Sequence, residues 1–339
     1  MSESRKKVKL NALLQKAIKH DRRAIAQLMS MAENDPSSRI DILAKLYWLR
    51  GKADIVGITG PPGCGKSTLI SQLAKHYRKS GRTVGIVAVD PSSQISGGAL
   101  LGDRIRMGEL ASDPRVFIRS MATRGHFGGI ARATEDAVRI LDATSIDQII
   151  VETAGAGQSD VDVKTLVDTT VVVTAPGLGD EIQALKAGIM EIGDIFVVNK
   201  ADKENADQTA QEIYSMIIMA DPVNGWRAPV IKTVATTGDG ITALAEAINQ
   251  HLQVRRRKET ALMDKDGLRS QILNAAKMYF DEVSLQELAS SKKFETLLNQ
   301  VESHKIDPFT AGRRLTRDIV MMADQGVRKT WKSKRVRTK

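Results

Sequence analysis

Apolar positions along this chain fall into two recurring patterns, short continuous runs and stretches with helical spacing. The run at 54–59 is apolar and β-branched, which predicts a buried parallel strand. From Lys66 the apolar residues recur every three or four positions, which predicts a helix, and Gly81 is placed to end it. Residues 83–89 predict a second strand. The order of strand, helix and strand indicates an α/β fold.

The two patterns keep alternating along the middle of the chain. Five more strands are predicted, at 116–118, 147–152, 169–174, 195–198 and 229–234. Helices are predicted between several of them, including 131–141 and 182–190. Residues 119–129, after the third strand, are predicted to form a flexible polar loop. Because strands that alternate with helices build parallel sheets, we predict a mostly parallel sheet.

Both ends of the chain lack strand signals and show helical spacing. Asp35-Pro36 lies between two apolar stripes, and Asp307-Pro308 lies near the end; each pair is typical of an N-cap followed by proline at the first helical position. A polar helical arm beyond a complete domain is often an oligomerisation element, so we expect a homodimer. The predicted divisions are an N-terminal helical extension (1–50), an α/β domain (51–254), a helical arm (255–326) and a basic tail (327–339).

The segment between the first strand and its helix has the pattern of a phosphate-binding loop. It reads Gly60-Pro61-Pro62-Gly63-Cys64-Gly65-Lys66-Ser67-Thr68. Its glycines let the backbone turn tightly, so that successive N–H groups can point at one anion. Lys66 is expected to reach the β- and γ-phosphates, and the Ser67 hydroxyl to bind Mg²⁺. Because the motif lies between a strand and a helix, we predict a P-loop fold that binds a nucleoside triphosphate.

Three carboxylates are candidates for the metal and switch region. Asp90 and Glu152 end predicted strands, and ligands of open α/β sheets bind at the carboxyl ends of strands. Gly155 can offer its amide to the γ-phosphate without side-chain interference. Asp103 either approaches the metal or caps a helix with a solvated charged face. The predicted Mg²⁺ ligands are therefore Ser67, Asp90 and Glu152, and Asp103 joins them if the first of its two interpretations is right.

The strand at 195–198 ends in Asn199-Lys200-Ala201-Asp202, which matches the chemistry of guanine. The Asp202 carboxylate can accept hydrogen bonds from the N1–H and the 2-amino group of guanine, and adenine cannot supply them. The Lys200 stem can lie along the base, and Asn199 can tie the loop to its neighbours. A simple turn after a strand is the alternative interpretation. Beside a phosphate loop, the tetrapeptide favours GTP over ATP.

Composition excludes several other classes of protein. The formal net charge is +10, but residues 1–10 contribute +3 and residues 327–339 contribute +7, so the body of the chain is neutral. With 4% aromatic residues as well, sequence-specific nucleic-acid binding is not expected. No apolar run approaches the roughly 20 residues of a membrane span or forms a signal core, so we expect a cytoplasmic protein. Cys64, the single cysteine, excludes an internal disulfide framework and is interpreted as a small filler.

With these motifs in order, the chain resembles the MeaB/ArgK family of GTPases, which is associated with methylmalonyl-CoA mutase. The similarity runs from Arg22 to Ala311. It is carried most specifically by segments at 90–93, 102–107, 119–125, 152–155 and 176–181. The resemblance implies a dimeric, nucleotide-switched P-loop protein that uses GTP hydrolysis to load adenosylcobalamin into an acyl-CoA mutase, to protect that enzyme and to remove inactive cobalamin. GTP or GDP and Mg²⁺ then bind to this chain, and the cobalamin belongs to the client enzyme.

The resemblance also implies roles for individual residues. Catalytic roles fall to Lys66, Asp103, Glu152 and Lys186. Residues 177–186 look like the family's partner-sensing switch, in which Lys186 acts on the nucleotide once the mutase is bound. The base-contacting loop of the family usually carries Ser-Ala, and here it reads Val234-Ala235, followed by Thr236. Because the Ala235 amide is expected to face the guanine oxygen through the backbone, we expect guanine recognition with somewhat altered affinity.

Two other functions are alternatives. A metal-delivering GTPase needs His- or Cys-rich ligand sets, and this chain has five scattered histidines and one cysteine. A nucleotide-dependent kinase of a transport-system protein needs a second-substrate site with a catalytic base, and the candidate carboxylates are already assigned to the metal.

No glutamine directly follows Gly155 to orient a water molecule, so we expect slow hydrolysis without a partner.

Overall fold

The computed structural model describes residues 3–49, 53–90, 108–122, 132–153, 163–178, 191–219, 222, 225–259, 265–281 and 285–316. The chain divides into two compact units, Met1–Met263 and Asp264–Lys339. The first unit contains the sheet, and the described part of the second unit is helical.

Seven strands form one sheet in the first unit. They are β1 (Asp54–Thr59), β2 (Val84–Asp90), β3 (Val116–Ala122), β4 (Gln148–Glu152), β5 (Thr169–Thr174), β6 (Ile195–Asn199) and β7 (Val230–Thr233). Their order is β3-β2-β4-β1-β5-β6-β7, and each neighbouring pair is parallel. The predicted parallel sheet is confirmed, and so is each of its predicted strands.

One predicted boundary was wrong. The third strand does not end at residue 118 but continues to Ala122, and Arg119 pairs with Val87 of β2. The polar residues there were interpreted as a loop because they interrupt the apolar run. Arg119 is accommodated because β3 is an edge strand and its guanidinium donates to Glu33 of the N-terminal helices at 2.9 Å.

Eight helices of the first unit surround this sheet within the described ranges. They are α1 (Glu3–Ile18), α2 (Arg22–Asn34), α3 (Pro36–Leu46), α4 (Lys66–Lys79), α5 (Gly108–Ser112), α6 (Arg132–Ala143), α7 (Ala206–Met219) and α8 (Ile241–Glu259). A 3₁₀ turn, Tyr47–Leu49, follows α3. The helix predicted after Asp35 begins at Pro36, as expected. The last of the eight runs through the predicted boundary at 254/255, because the basic run there contains no helix stop signal.

The sheet is covered on both faces, since its strands are apolar on both sides. On one face α4 and α8 contribute Leu73 and Ile248 to a core that includes Ile58 of β1. On the other face the N-terminal helices and α6 form a second core with β2 and β4. A buried, bidentate ion pair between Arg39 of α3 and Asp136 of α6 joins the N-terminal helices to this layer.

The position of β1 determines where a ligand can bind. It lies between β4 and β5, and the register places Ile58 beside Glu152 and Thr59 beside Val172. The carboxyl ends of these three strands therefore reach the same edge of the sheet. In open α/β sheets this edge is where ligands bind.

A buried polar cluster lies at the opposite edge, near the start of β5 and β6. The His251 ring of α8 lies 2.9 Å from the Thr169 hydroxyl through Nδ1 and 3.5 Å from the Asp194 carboxylate through Nε2. Asp194 also accepts the amide N–H of Thr170 at 2.8 Å, and its carbonyl accepts the indole N–H of Trp226 at 2.8 Å. These bonds fix α8 to the sheet, so we interpret the cluster as structural.

Acidification is expected to destabilise the first unit through His251. Burial, opposed by the nearby Asp194 carboxylate and assisted by Arg255, lowers the pKa of His251 below its ordinary value of 6.5. The unfolded chain therefore binds a proton that the folded chain excludes, and the free energy of unfolding falls as the pH drops below about 6.5. Urea unfolding at pH 7.5 and 5.5 should show a smaller acid-induced loss in His251→Asn than in the parent. Thr169→Val keeps the imidazole and should keep the parental loss; equal losses in parent and His251→Asn would contradict the prediction.

The described part of the second unit consists of helices. They are α9 (Lys265–Tyr279), α10 (Leu285–Ala289), α11 (Lys292–Glu302) and a helical segment at 308–316. The Ser291 hydroxyl caps α11 by accepting the Phe294 N–H at 3.2 Å. The Asp307 carboxylate caps the following segment by accepting the Thr310 N–H at 2.9 Å, which confirms the predicted helix start. Over the described ranges of both units, no helix has the length and apolar character required to cross a bilayer.

Candidate nucleotide site

The loop after β1 adopts the tight turns expected of a phosphate cradle. Gly60, Gly63 and Gly65 have φ angles of 142°, 79° and 97°, in the region that favours glycine. A Cβ on Gly60 would collide with the backbone oxygen of Val173 on β5, and a Cβ on Gly65 with the side-chain amide of Asn199. Both the backbone angle and the available space therefore require glycine at these two positions.

The loop leads directly into the N-terminus of α4. Gly65 is the N-cap and provides no side-chain hydrogen bond, so the first N–H groups of the helix can serve an anion, assisted by the helix dipole. Lys66 is buried, and its Nζ donates to the carbonyl oxygens of Gly60 at 2.7 Å and Pro61 at 3.1 Å. An ammonium has three donors on a flexible stem, so this group can also donate to a phosphate oxygen.

Ser67 and Glu152 form the centre of the predicted metal site. The Ser67 hydroxyl donates to Oε1 of Glu152 at 2.8 Å, and Glu152 is buried at the end of β4. Among the residues whose placement is described, no group of three or more His, Cys, Asp or Glu side chains is arranged to hold a metal ion. Mg²⁺ in nucleotide sites needs few protein ligands, because phosphate and water oxygens complete its octahedron. The hydroxyl and carboxylate present fit this requirement.

Asp90 lies on the neighbouring strand at the same edge. The register of β2 and β4 pairs Ala88 with Glu152, so the backbone of Asp90 lies two residues beyond that pair. The side chain of Asp90 lies outside the described part of the structure. So do three other predicted residues, Asp103, Gly155 and Lys186. Their roles stay predictions.

Asn199, at the end of β6, joins three segments of the site. Its Nδ2 donates to the carbonyl oxygen of Cys64 in the phosphate loop at 2.8 Å. Its Oδ1 accepts the Thr233 hydroxyl and the Ala235 amide N–H, both at 3.1 Å. All three bonds are buried, as is Asn199 itself. As predicted, Asn199 ties its loop to its neighbours, and it fixes the phosphate loop relative to the loop after β7.

Lys200 and Asp202 follow in the turn after β6. Lys200 has a φ of 56°, and its Nζ donates to the Gly63 carbonyl at 2.6 Å. The Lys200 side chain therefore extends from the turn to the phosphate loop, and its predicted contact with the base stays a prediction. Asp202 is exposed and accessible to a ligand. Pro62 and Thr68, from the predicted loop set, are exposed as well.

In the loop after β7, backbone N–H groups donate hydrogen bonds to acceptors of the protein itself. The amide N–H of Ala235 donates to Asn199, so a bond from the same N–H to a guanine oxygen must be shared with that acceptor. Val234 forms an isolated bridge with Asp239 and accepts the Thr237 N–H at 3.1 Å, while Thr236 is exposed. The predicted contact between Ala235 and guanine stays a prediction.

Cys64 has a packing position within the phosphate loop. Its side chain is fully buried, and burial raises the pKa of its thiol above the ordinary value, opposed by the Lys66 charge. A neutral thiol is a poor nucleophile. This agrees with its interpretation as a small filler.

Sequence analysis missed two threonines next to the site. The Thr153 hydroxyl donates to the Thr59 hydroxyl at 2.9 Å, and the Thr153 N–H donates to the Ile58 carbonyl at 3.1 Å. These bonds join the end of β1, just before Gly60, to the residue after Glu152. The signal in the sequence was the position of these threonines: Thr59 directly precedes the phosphate loop, and Thr153 directly follows Glu152.

Comparison with known proteins agrees with this geometry. The family model described as methylmalonyl Co-A mutase-associated GTPase MeaB matches residues 23–292. A candidate GTPase of Pyrococcus abyssi is 46% identical over 317 residues, which cover 92% of this chain and 97% of the relative. The mouse protein named methylmalonic aciduria type A homolog, mitochondrial, is 38% identical over 199 residues, which cover 58% of this chain and 48% of the mouse protein.

A solved structure supports the fold. The crystal structure of a LAO/AO transport system kinase superposes with a TM-score of 0.62 at 23% identity, covering 94% of this chain and 99% of the other. At this identity the likeness establishes a shared architecture and carries no functional assignment. Because the family model spans most of the chain, including the phosphate loop and the turn after β6, this protein belongs to the MeaB family of GTPases.

Proposed function

We propose that this protein binds GTP with Mg²⁺ and hydrolyses it to gate the loading, protection and reactivation of an adenosylcobalamin-dependent acyl-CoA mutase. The proposal that the protein binds a nucleotide rests mainly on the two attachments of Asn199. It is hydrogen-bonded to the phosphate loop at Cys64 and to the loop after β7 at Ala235. One nucleotide can therefore contact both loops, with its phosphates at Lys66 and its base at Asp202.

In hydrolysis, a water oxygen attacks the γ-phosphorus, and the bond from that phosphorus to the β–γ bridging oxygen breaks. Ser67, Asp90, Asp103 and Glu152 are the proposed ligands of Mg²⁺ or their supports, and the ion, when bound, would supply positive charge to the phosphates. Because the Ser67 hydroxyl donates a hydrogen bond to Glu152, the lone pairs of its oxygen stay available for the metal. Lys66 would stabilise the charge that accumulates on the β- and γ-oxygens.

The partner is proposed from the family and from the mouse relative. The family description names methylmalonyl-CoA mutase as the associated enzyme, and the name of the mouse protein refers to methylmalonic aciduria. We propose methylmalonyl-CoA mutase or a close relative as the client, with the cobalamin bound by that client. The protein would act in the cytoplasm as a homodimer, with residues 255–326 as the dimerisation arm.

The client should accelerate GTP turnover through Lys186. A stoichiometric adenosylcobalamin-dependent acyl-CoA mutase from the same source is expected to raise the steady-state rate at least about tenfold, because a partner can complete a site that lacks a charge-neutralising group. Lys186→Ala should lose this rise and keep the basal rate. Lys45→Ala, at an exposed position of α3, is the matched control and should keep the rise.

An unchanged rate in the presence of the mutase, together with no complex on gel filtration, would contradict the chaperone function. Transfer of the γ-phosphate to a transport-system protein would then favour the kinase alternative. Loss of the basal rate in Lys186→Ala would instead place Lys186 in the basal reaction and remove its proposed gating role.

A further inference from the structure

A cavity lies at the edge of the sheet opposite the nucleotide site. Its volume is about 320 Å³, and it is bounded by the start of α2 with the turn before it, by the residue before β2 and by the start of β3. In a parallel sheet the amino ends of the strands share one edge, whereas the phosphate loop follows the carboxyl end of β1. The cavity is therefore separate from the nucleotide site. Its volume is at the lower end of the range of small-molecule sites.

The floor of this cavity is apolar. Ile25 of α2, Phe117 of β3 and Ile146, just before β4, line it, and all three are buried. Such a surface binds a hydrocarbon body, because contact with it removes apolar area from water. A floor built from three different elements of the first unit is also held in place by the core around it.

The rim carries the positive charges of two arginine side chains. His20, Arg22 and Arg115 line the cavity, and none of the lining residues is acidic. The Nη1 of Arg22 donates to the carbonyl oxygens of Ala111 at 3.2 Å and Asp113 at 3.5 Å, which holds this guanidinium at the rim. A guanidinium fixed in this way loses little conformational freedom when it binds a carboxylate, and its planar fork matches that group.

Two carboxylates near the rim have partners of their own. Asp113, which interacts electrostatically with Arg115, accepts a hydrogen bond from the Nε of Arg78 at 2.9 Å. Asp147, which interacts with His20, accepts both the N–H and the hydroxyl of Thr83 at 2.7 Å. Neither carboxylate lines the cavity, although each contacts a residue that does: Asp147 contacts Thr83, and Asp113 accepts the backbone N–H of Arg115 at 2.8 Å. The fixed charges among the lining side chains are the two arginines.

We propose that this cavity binds a small organic acid, with its carboxylate between Arg22 and Arg115 and its aliphatic body on the apolar floor. The proposal is independent of GTP hydrolysis, since no residue of the nucleotide site takes part. A cavity of this volume accommodates a compact molecule with one short aliphatic chain and excludes a folded peptide segment.

The test is calorimetric titration of the full-length protein with hexanoate, and with hexanamide as the uncharged probe of the same shape. Saturable hexanoate binding is expected, with hexanamide at least about tenfold weaker, because a hydrogen-bonded charge is lost. Arg22→Gln and Arg115→Gln should each weaken hexanoate binding at least about fivefold and leave hexanamide binding unchanged. Arg23→Gln, at the next and exposed position of α2, is the matched control and should bind hexanoate like the parent.

Three results would overturn the proposal. The first is the absence of saturable hexanoate binding up to about 10 mM, a concentration at which even a weak specific site would be occupied. The second is equal affinity for hexanoate and hexanamide, and the third is competition between hexanoate and GDP with Mg²⁺, which would place the probe in the nucleotide site. Because Arg115 is exposed, Arg115→Gln should fold normally. This variant keeps the test valid even if Arg22→Gln lowers the melting temperature.

Discussion

Asp202→Asn is expected to change the base preference of the site from guanine to xanthine. A carboxylate only accepts hydrogen bonds, and Asp202 is proposed to receive the N1–H and the 2-amino group of guanine. An asparagine can still accept the N1–H, but its NH₂ group would meet the 2-amino group, a donor against a donor. Xanthine has an oxygen in place of that amino group and restores the second hydrogen bond.

The expected change is large because xanthine has a hydrogen-bond acceptor at the position where guanine has a donor. Sites built around a hydrogen-bond pattern reject the wrong pattern by roughly 10⁴–10⁵. Asp202 is exposed, and water partly compensates for a lost bond, so we expect the ratio of GDP to xanthosine diphosphate affinity to fall by about 10³. Competition of the two diphosphates against a fluorescent guanine nucleotide measures this ratio.

Glu204→Gln provides the matched control for this exchange. Glu204 is an exposed acid in the same turn and has no proposed contact with the base, so the parental preference for GDP should persist. If Asp202→Asn retained the GDP affinity of the parent and gained none for xanthosine diphosphate, Asp202 would not contact the base. The tetrapeptide at 199–202 would then be a turn that follows a strand.

The sheet was predictable because its strands are buried on both faces. Such strands appear in the sequence as continuous β-branched runs, as at 54–59 and 169–174, and both runs match observed strands residue for residue. The third strand was predicted too short because an edge strand needs only one hydrogen-bonded neighbour and tolerates polar residues such as Arg119. Its continuation depends on pairing with β2, which local sequence does not encode.

The candidate site was predictable where its chemistry is contiguous in sequence. The phosphate loop and the turn after β6 each lie within one short motif, so residue type and spacing were enough. The bonds that connect these motifs are long-range: Asn199 to Cys64 spans 135 residues and Thr153 to Thr59 spans 94. No periodicity marks such pairs. The use of the Ala235 N–H by Asn199 likewise follows only from how the strands assemble.

Asn199→Ala is expected to destabilise the first unit and to abolish tight nucleotide binding together. The substitution would leave the Cys64 carbonyl, the Thr233 hydroxyl and the Ala235 N–H without their buried partner. Each unsatisfied buried group costs about 1–3 kcal/mol, and because some relaxation is expected, the free energy of unfolding should fall by about 2–4 kcal/mol. The phosphate loop would also lose its fixed position relative to the base loop, so we expect GDP affinity to fall at least about a hundredfold.

Urea unfolding with and without GDP and Mg²⁺ measures both effects in one experiment. At a ligand concentration about 100 times its dissociation constant, GDP should stabilise the parent by about 2.7 kcal/mol, and Asn199→Ala by less than about 0.5 kcal/mol. Thr233→Val is the matched control, because it removes only one of the three bonds at nearly constant volume; it should lose about 1 kcal/mol and keep most of the GDP effect. If Asn199→Ala lost stability but kept the full stabilisation by GDP, the attachment of the two loops would be structural only, and the nucleotide part of the proposed function would have to rest on the phosphate loop alone.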